Sequence, residues 1–125
     1  MEKKKIFIVE DESIVSLEIQ SRVKHLGYSV SGTAAYGDEA IRKVIDLKPD
    51  LILMDIRIKG ELDGIETAAE IKKIYEVPII FLTAYADPVT IQRAKITDPF
   101  GYIIKPFEER ELHISIEIAL YKDHT

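Results

Sequence analysis

Four apolar runs in this chain stop at side chains that can do chemistry. Ile6-Phe7-Ile8-Val9 runs into Glu10 and Asp11, Leu51-Ile52-Leu53-Met54 stops at Asp55, Ile79-Ile80-Phe81-Leu82 stops at Thr83, and Tyr102-Ile103-Ile104 reaches Lys105. Three carboxylates gathered in one place repel one another and raise each other's pKa. A hard divalent cation removes that conflict, and Mg2+ favours oxygen ligands while keeping several waters. The Lys105 ammonium and the Thr83 hydroxyl are donors suited to phosphoryl oxygens. A carboxylate nucleophile beside a metal and a fixed cation is the equipment for phosphoryl transfer through an aspartyl phosphate. Each residue alone has a plainer reading, as a solvated loop acid, a turn or cap hydroxyl, or a surface lysine. The weight rests on all five following an apolar run.

That coincidence becomes a site only if the runs are strands of one parallel sheet. A strand hydrophobic on both faces, such as 51–54, belongs in the middle of such a sheet with helices on each side. The ligand crevice then lies outside the carboxyl ends of the strands. Helical patterns separate the runs. Val15, Ile19, Val23 and Leu26 form one stripe, stopped by Gly27. After a short strand over 28–35, a helix over 38–48 is expected to pack through Ile41, Val44 and Ile45 and to end at Pro49. Asp63 and Glu66 make a capping box for a helix that runs to about Tyr75 through Ile65, Ala68 and Ile71. The fourth strand is placed at 77–82. Asp87-Pro88 opens the next helix, to about Thr97, and the fifth strand spans 100–104. The segment 108–121 alternates like a strand at Leu112, Ile114, Ile116 and Ile118, but its acidic start and its length favour a helix. Strand and helix thus alternate five times, which defines an α/β domain with a parallel sheet and right-handed crossovers.

At 125 residues the chain is one domain with room for a core of its own. It has no cysteine, which excludes disulfides, thiolate metal sites and a thiol nucleophile. The net charge of -5 argues against nucleic acid as a direct partner. The apolar run after Glu2-Lys3-Lys4-Lys5 is too short for a signal peptide or a membrane span, so a cytoplasmic protein is expected. His25, His113 and His124 lack metal-ligand spacing and are read as surface residues. No GxGxxG or Walker sequence is present.

The motifs IFIVEDE (6–12), LILMD (51–55), DGIE (63–66), FLTA (81–84) and GYIIKPF (101–107) together resemble those of the receiver domains of two-component response regulators, the CheY-like superfamily. The resemblance covers about residues 4–121, and residues 1–125 are expected to be a single receiver domain, stand-alone or cut from a longer signalling protein. It implies a flavodoxin-like (βα)5 three-layer sandwich with strand order 2-1-3-4-5. It implies that Asp55 is the phosphoacceptor and that Glu10, Asp11, Asp55 and the backbone carbonyl of Arg57 surround Mg2+, with Mn2+ as an alternative ion. Asp11 would be the direct ligand of the acidic pair, and Glu10 would act through water. Thr83 resembles the switch hydroxyl, Lys105 the phosphate-pairing lysine and Tyr102 the switch aromatic. The Lys105-Pro106 bond would be cis. The donor implied is a sensor histidine kinase. The domain would catalyse only its own phosphorylation and dephosphorylation.

Two features depart from the family pattern. Lys59 stands where receivers commonly have proline, four residues after the phosphoacceptor, and the loop 58–62 is one residue longer than usual. Arg57 and Tyr85, two residues past Asp55 and Thr83, occupy positions that resemble those tuning self-hydrolysis. Two rivals fit less well. A phosphohydrolase of the haloacid-dehalogenase kind needs a second Asp two residues after its nucleophile, where this chain has Arg57. A flavin-binding module would want a Ser/Thr-rich loop after strand one, where Glu10-Asp11-Glu12 would repel the phosphate. On a helix, Leu112, Ile116 and Ala119 form one stripe and Ile114, Ile118 and Tyr121 a second, nearly opposite. A helix apolar on both sides is normally covered on both. The second stripe is expected to meet either another copy, through the face of the fourth helix, fifth strand and fifth helix, or a C-terminal output segment.

Overall fold

The computed structural model describes residues 2–84 and 86–123, the last by its backbone only. The elements follow in order: β1 Lys5–Val9, α1 Ser13–His25, β2 Ser29–Ala34, α2 Gly37–Leu47, β3 Leu51–Asp55, α3 Gly64–Ile74, β4 Ile79–Thr83, α4 Pro88–Ile96, β5 Gly101–Ile104 and α5 Glu109–Asp123. The five strands are all parallel, in the order β2-β1-β3-β4-β5. This is the flavodoxin-like order implied by the motifs.

Successive strand residues point to opposite faces, and the sheet feeds two cores accordingly. Ile6, Ile8, Leu51, Leu53, Ile80 and Leu82 pack with Ile19 and Val23 of α1 and Leu112, Ile116 and Ala119 of α5. Phe7, Val9, Ile52, Met54, Ile79 and Phe81 pack with Ala40 and Val44 of α2, Ile65, Ala68 and Ile71 of α3, and Ala94 of α4. Three layers result. Every residue of β3 and β4 is buried, as expected of strands covered on both sides.

Several sequence expectations are corrected. Ile45 does not join the core: Ala40 and Val44 point inward and Ile41 packs at the edge, which leaves Ile45 about half exposed (49%). The fourth strand starts at Ile79 instead of Val77. The second strand is Ser29–Ala34. The last segment is a helix, as its acidic start and its length favoured. Leu112, Ile116 and Ala119 are buried in it, while Ile114, Ile118 and Tyr121 stay exposed. Among the described residues no helix is long and apolar enough to cross a membrane.

One junction fixes the sheet edge where the chemistry-bearing residues gather. Asp63 caps α3: its Oδ1 accepts from the Glu66 N–H at 2.8 Å, and Glu66 Oε1 accepts from the Asp63 N–H at 2.9 Å. The Gly64 N–H donates to the Ile56 carbonyl at 2.7 Å. A Cβ at Gly64 would stand 1.9 Å from the Asp55 carbonyl oxygen, so α3 starts directly on the end of β3 and only glycine fits. Gly64→Ala must push the two elements apart. We expect a loss of about 1–3 kcal/mol in urea unfolding, the range for overpacked sites. An unchanged midpoint would contradict the close contact.

Candidate functional site

The carboxyl ends of β1, β3 and β5 bring Glu10, Asp11, Asp55 and Lys105 together. Glu10 and Asp55 are buried, and Asp11 is partly exposed. One carboxylate oxygen from each of the three acids lies within 4.8 Å of the others. The Lys105 Nζ donates to Glu10 Oε1 at 2.7 Å and to Asp55 Oδ2 at 3.1 Å. Glu10 Oε2 accepts from the Glu12 N–H at 3.1 Å, and Asp55 Oδ1 accepts from the Arg57 N–H at 3.3 Å. The Lys105-Pro106 peptide is cis, as the motif resemblance implies.

A single ammonium faces three acids, and the acids share it unequally. Burial would raise the Glu10 carboxyl, but its hydrogen bond with Lys105 and its other donors hold it below its ordinary value. Asp55 goes the other way. Burial first, and then Glu10 beside it, push it up to about 7 against the pull of Lys105. Asp11 is also raised, by burial and by Glu10. Lys105 is held above its ordinary value because the two carboxylates outweigh its burial. Because its folded-state value lies above the unfolded one, Asp55 contributes stability that is lost as pH rises from the ordinary carboxylate range through about 7 in the metal-free fold. Hard oxygen donors, clustered and short of positive charge, fit Mg2+ by their chemistry.

Of the other residues picked from the sequence, Thr83 lies at the end of β4 and Tyr102 inside β5. Thr83 ends β4 fully buried, and its carbonyl accepts from the Lys105 N–H at 2.8 Å. Tyr102 in β5 is half-buried and meets Phe81 edge-on, with ring centroids 6.4 Å apart. Burial and the charge of Asp87 raise its hydroxyl pKa. Arg57 is exposed two residues past the end of β3, after the buried Ile56. His25 and His113 lie away from this edge, paired with Glu109 at 3.0 Å and Glu117 at 3.5 Å. Tyr85 and His124 fall outside the described residues.

Two participants escaped the sequence reading. Gly64 was legible only as part of a cap motif, although a glycine at a first helical position, where it costs helix propensity, can signal a close backbone approach. The second is a contact outside the sheet, where Tyr36 and Lys59 pair as an isolated parallel bridge. No local pattern in the sequence announces it.

Comparison with known proteins agrees with this geometry. The family model for the response regulator receiver domain matches residues 6–117. The chain therefore belongs to the receiver domains of two-component response regulators. It is 32% identical over 117 residues to the transcriptional regulatory protein PdtaR of Mycobacterium tuberculosis, covering 94% of this chain and 57% of that protein. It is 38% identical over 120 residues to the probable transcriptional regulator ycf27 of Cyanidium caldarium, covering 96% and 47%. The chain thus spans about half the length of these curated relatives. Among solved structures, the signal receiver domain of a modulated diguanylate cyclase from Desulfovibrio desulfuricans G20 superposes with a TM-score of 0.92 at 43% identity, covering 97% of this chain and 96% of that one. Receiver domains generally bind Mg2+ at an acidic pocket, and this chain has an acidic cluster of Glu10, Asp11 and Asp55.

Proposed function

We propose that this chain is a phosphorylation-controlled signalling receiver that takes a phosphoryl group onto Asp55 from the phosphohistidine of a sensor histidine kinase in the cytoplasm. The observation that carries the reading is the Lys105 ammonium bonded to both Glu10 and Asp55 at the end of the central strand. An Asp55 carboxylate oxygen attacks phosphorus, the P–N bond breaks, and its electron pair leaves with the histidine, which takes up a proton. Asp11, Glu10, Asp55 and the Arg57 carbonyl would hold Mg2+, which supplies charge neutralisation for the phosphoryl oxygens when bound. Lys105, already at the site, pairs with the transferred group. Thr83 supplies a hydroxyl that turns to the new anion. A hydrogen bond to a charged group is worth roughly 1.5–3 kcal/mol, enough to tilt a two-state loop about tenfold or more. Tyr102, on the neighbouring strand, follows into the space that Thr83 vacates. Water then hydrolyses the acyl phosphate and returns the domain to rest.

The direct test is incubation with Mg2+ and acetyl phosphate, followed by intact mass. We expect one acid-labile phosphoryl group on the wild type, none without Mg2+, and none on Asp55→Asn. Equal labelling of Asp55→Asn would overturn the assignment.

The output surface follows from α5. Ile114 and Ile118 are 49% and 47% exposed and Tyr121 is 68% exposed, with Ile104 of β5 also exposed. We read this as a face for a second copy, built from α4, β5 and α5 and bordered by Tyr102. A C-terminal output segment is the other occupant that this face could take. Light scattering should show the wild type associating more strongly with beryllofluoride than without it, and Ile114→Glu with Ile118→Glu abolishing the gain. A wild type that stays monomeric in both states would remove the homodimer.

A further inference from the structure

Helix α4 has a thin apolar seat. It buries Thr90 and Ala94 and exposes Val89 and Ile96, whereas α3 beside it buries a stripe from Ile65 to Ile71. The hydrophobic drive to pack scales with the apolar area removed from water, so polar bonds carry a larger share of the placement of α4. Two such ties run to α3. At the cap of α3, Asp63 Oδ2 accepts from Arg93 Nη2 at 2.7 Å. In the last turn of α3, Lys72 Nζ donates to the Thr97 carbonyl at 3.2 Å and to the Asp98 carbonyl, where α4 ends. That lysine meets carbonyls which a helix end leaves without partners of its own.

Asp63 connects this tie to the site. Its other carboxylate oxygen caps α3, and α3 begins against the Asp55 carbonyl. Arg93 therefore fastens α4, through one side chain, to the helix seated on the end of the central strand. Ala94 of α4 shares a core cluster with Phe81, and Tyr102 packs against that cluster, edge-on to Phe81. The tie stands in the arrangement in which Lys105 is bonded to Glu10 and Asp55. On the reading above, that is the arrangement before a phosphoryl group takes the lysine.

We propose that Arg93 is a positioning residue whose bond to Asp63 holds α4 in the resting arrangement and so opposes the switch that a phosphoryl group on Asp55 drives. The proposal rests on the receiver reading above and goes beyond it, by adding to Thr83 and Tyr102 a restraint from the α3 side. The two side chains are partly exposed, at 43% and 28%, so the restraint is modest. A bond made in one arrangement only biases the equilibrium by its own strength. Breaking it raises the fraction of molecules ready for the anion, and the apparent affinity rises with that fraction. The lost charge of Arg93 would by itself weaken anion binding, so the sign of the effect separates a restraint from a field.

The test uses the whole chain at low ionic strength, where exposed charges are least screened, and measures beryllofluoride affinity at saturating Mg2+ by titration calorimetry. The variants are Arg93→Gln, Arg93→Lys, Asp63→Asn and the double variant of Arg93→Gln with Asp63→Asn. Asparagine keeps the cap of α3, since Asn and Asp cap helices about equally well. Arg93→Gln and Asp63→Asn are each expected to bind beryllofluoride about two- to five-fold more tightly, within the range of a partly exposed ion pair. The double variant gains no more than either single one, because both remove the same bond, and Arg93→Lys falls between wild type and Arg93→Gln. A bond that only supports the fold would lower the urea midpoint of Arg93→Gln and leave its beryllofluoride affinity unchanged. That result would overturn the proposal, as would weaker binding by Arg93→Gln or additive gains in the double variant. A wild type that binds no beryllofluoride with Mg2+ present would overturn the receiver reading itself, and this proposal with it.

Discussion

One lysine against three buried or half-buried carboxylates is the constraint on which this site depends. Lys105 satisfies Glu10 at 2.7 Å and reaches Asp55 at 3.1 Å, but it cannot neutralise both of them and Asp11 as well. Unpaired buried charge is costly, and a carboxyl in that position gives way by holding its proton. Asp55 is the one that gives way. The arrangement is a poor resting place for three anions and a good one for a divalent cation. On the proposed reading, a transferred phosphoryl group would give Lys105 a stronger partner.

The fold imposes this crowding. Five parallel strands point their carboxyl ends in one direction, and two cores of aliphatic and aromatic side chains lock the strands in register. The chain cannot move Asp55 away from Glu10 without shifting β3 against β1, where Val9 lies opposite Met54. The Gly64 contact closes the other side, since α3 begins on the Asp55 carbonyl itself. Helix, strand and carboxylate are thus one mechanical unit. Thr83 is joined to the same unit, since its carbonyl accepts from the Lys105 backbone N–H.

Much of this was legible in the sequence, for definite reasons. Unbroken apolar runs mark strands covered on both faces, and the residue after each run must lie at the sheet edge, so Glu10, Asp55, Thr83 and Lys105 could be grouped without coordinates. The two stripes of α5 could be separated because residues two apart on a helix lie about 200° apart. Burial of Leu112 and exposure of Ile114 follow from it. Ile45 failed because an apolar residue beside a helix's core stripe looks the same in sequence whether or not the neighbouring helix reaches it. The Lys59 bridge failed for a different reason. It depends on the meeting of two loops more than twenty residues apart, and neither carries a pattern for the other. The Glu10–Lys105 pair, 95 residues apart in sequence, was legible only as co-location at the sheet edge. Which acid would hold the lysine most closely was not.

The central claim is that the protein fold leaves Asp55 short of positive charge and that a divalent cation makes good the deficit. Carbon-13 NMR of the side-chain carboxyl groups measures this directly, by following Asp55 through pH with and without saturating Mg2+ and assigning its signal with Asp55→Asn. The account predicts a midpoint near 7 in the metal-free protein and a midpoint lower by one pH unit or more with Mg2+, in keeping with the effect of an opposite charge close by. A metal-free midpoint in the ordinary carboxylate range, unmoved by Mg2+, would contradict it.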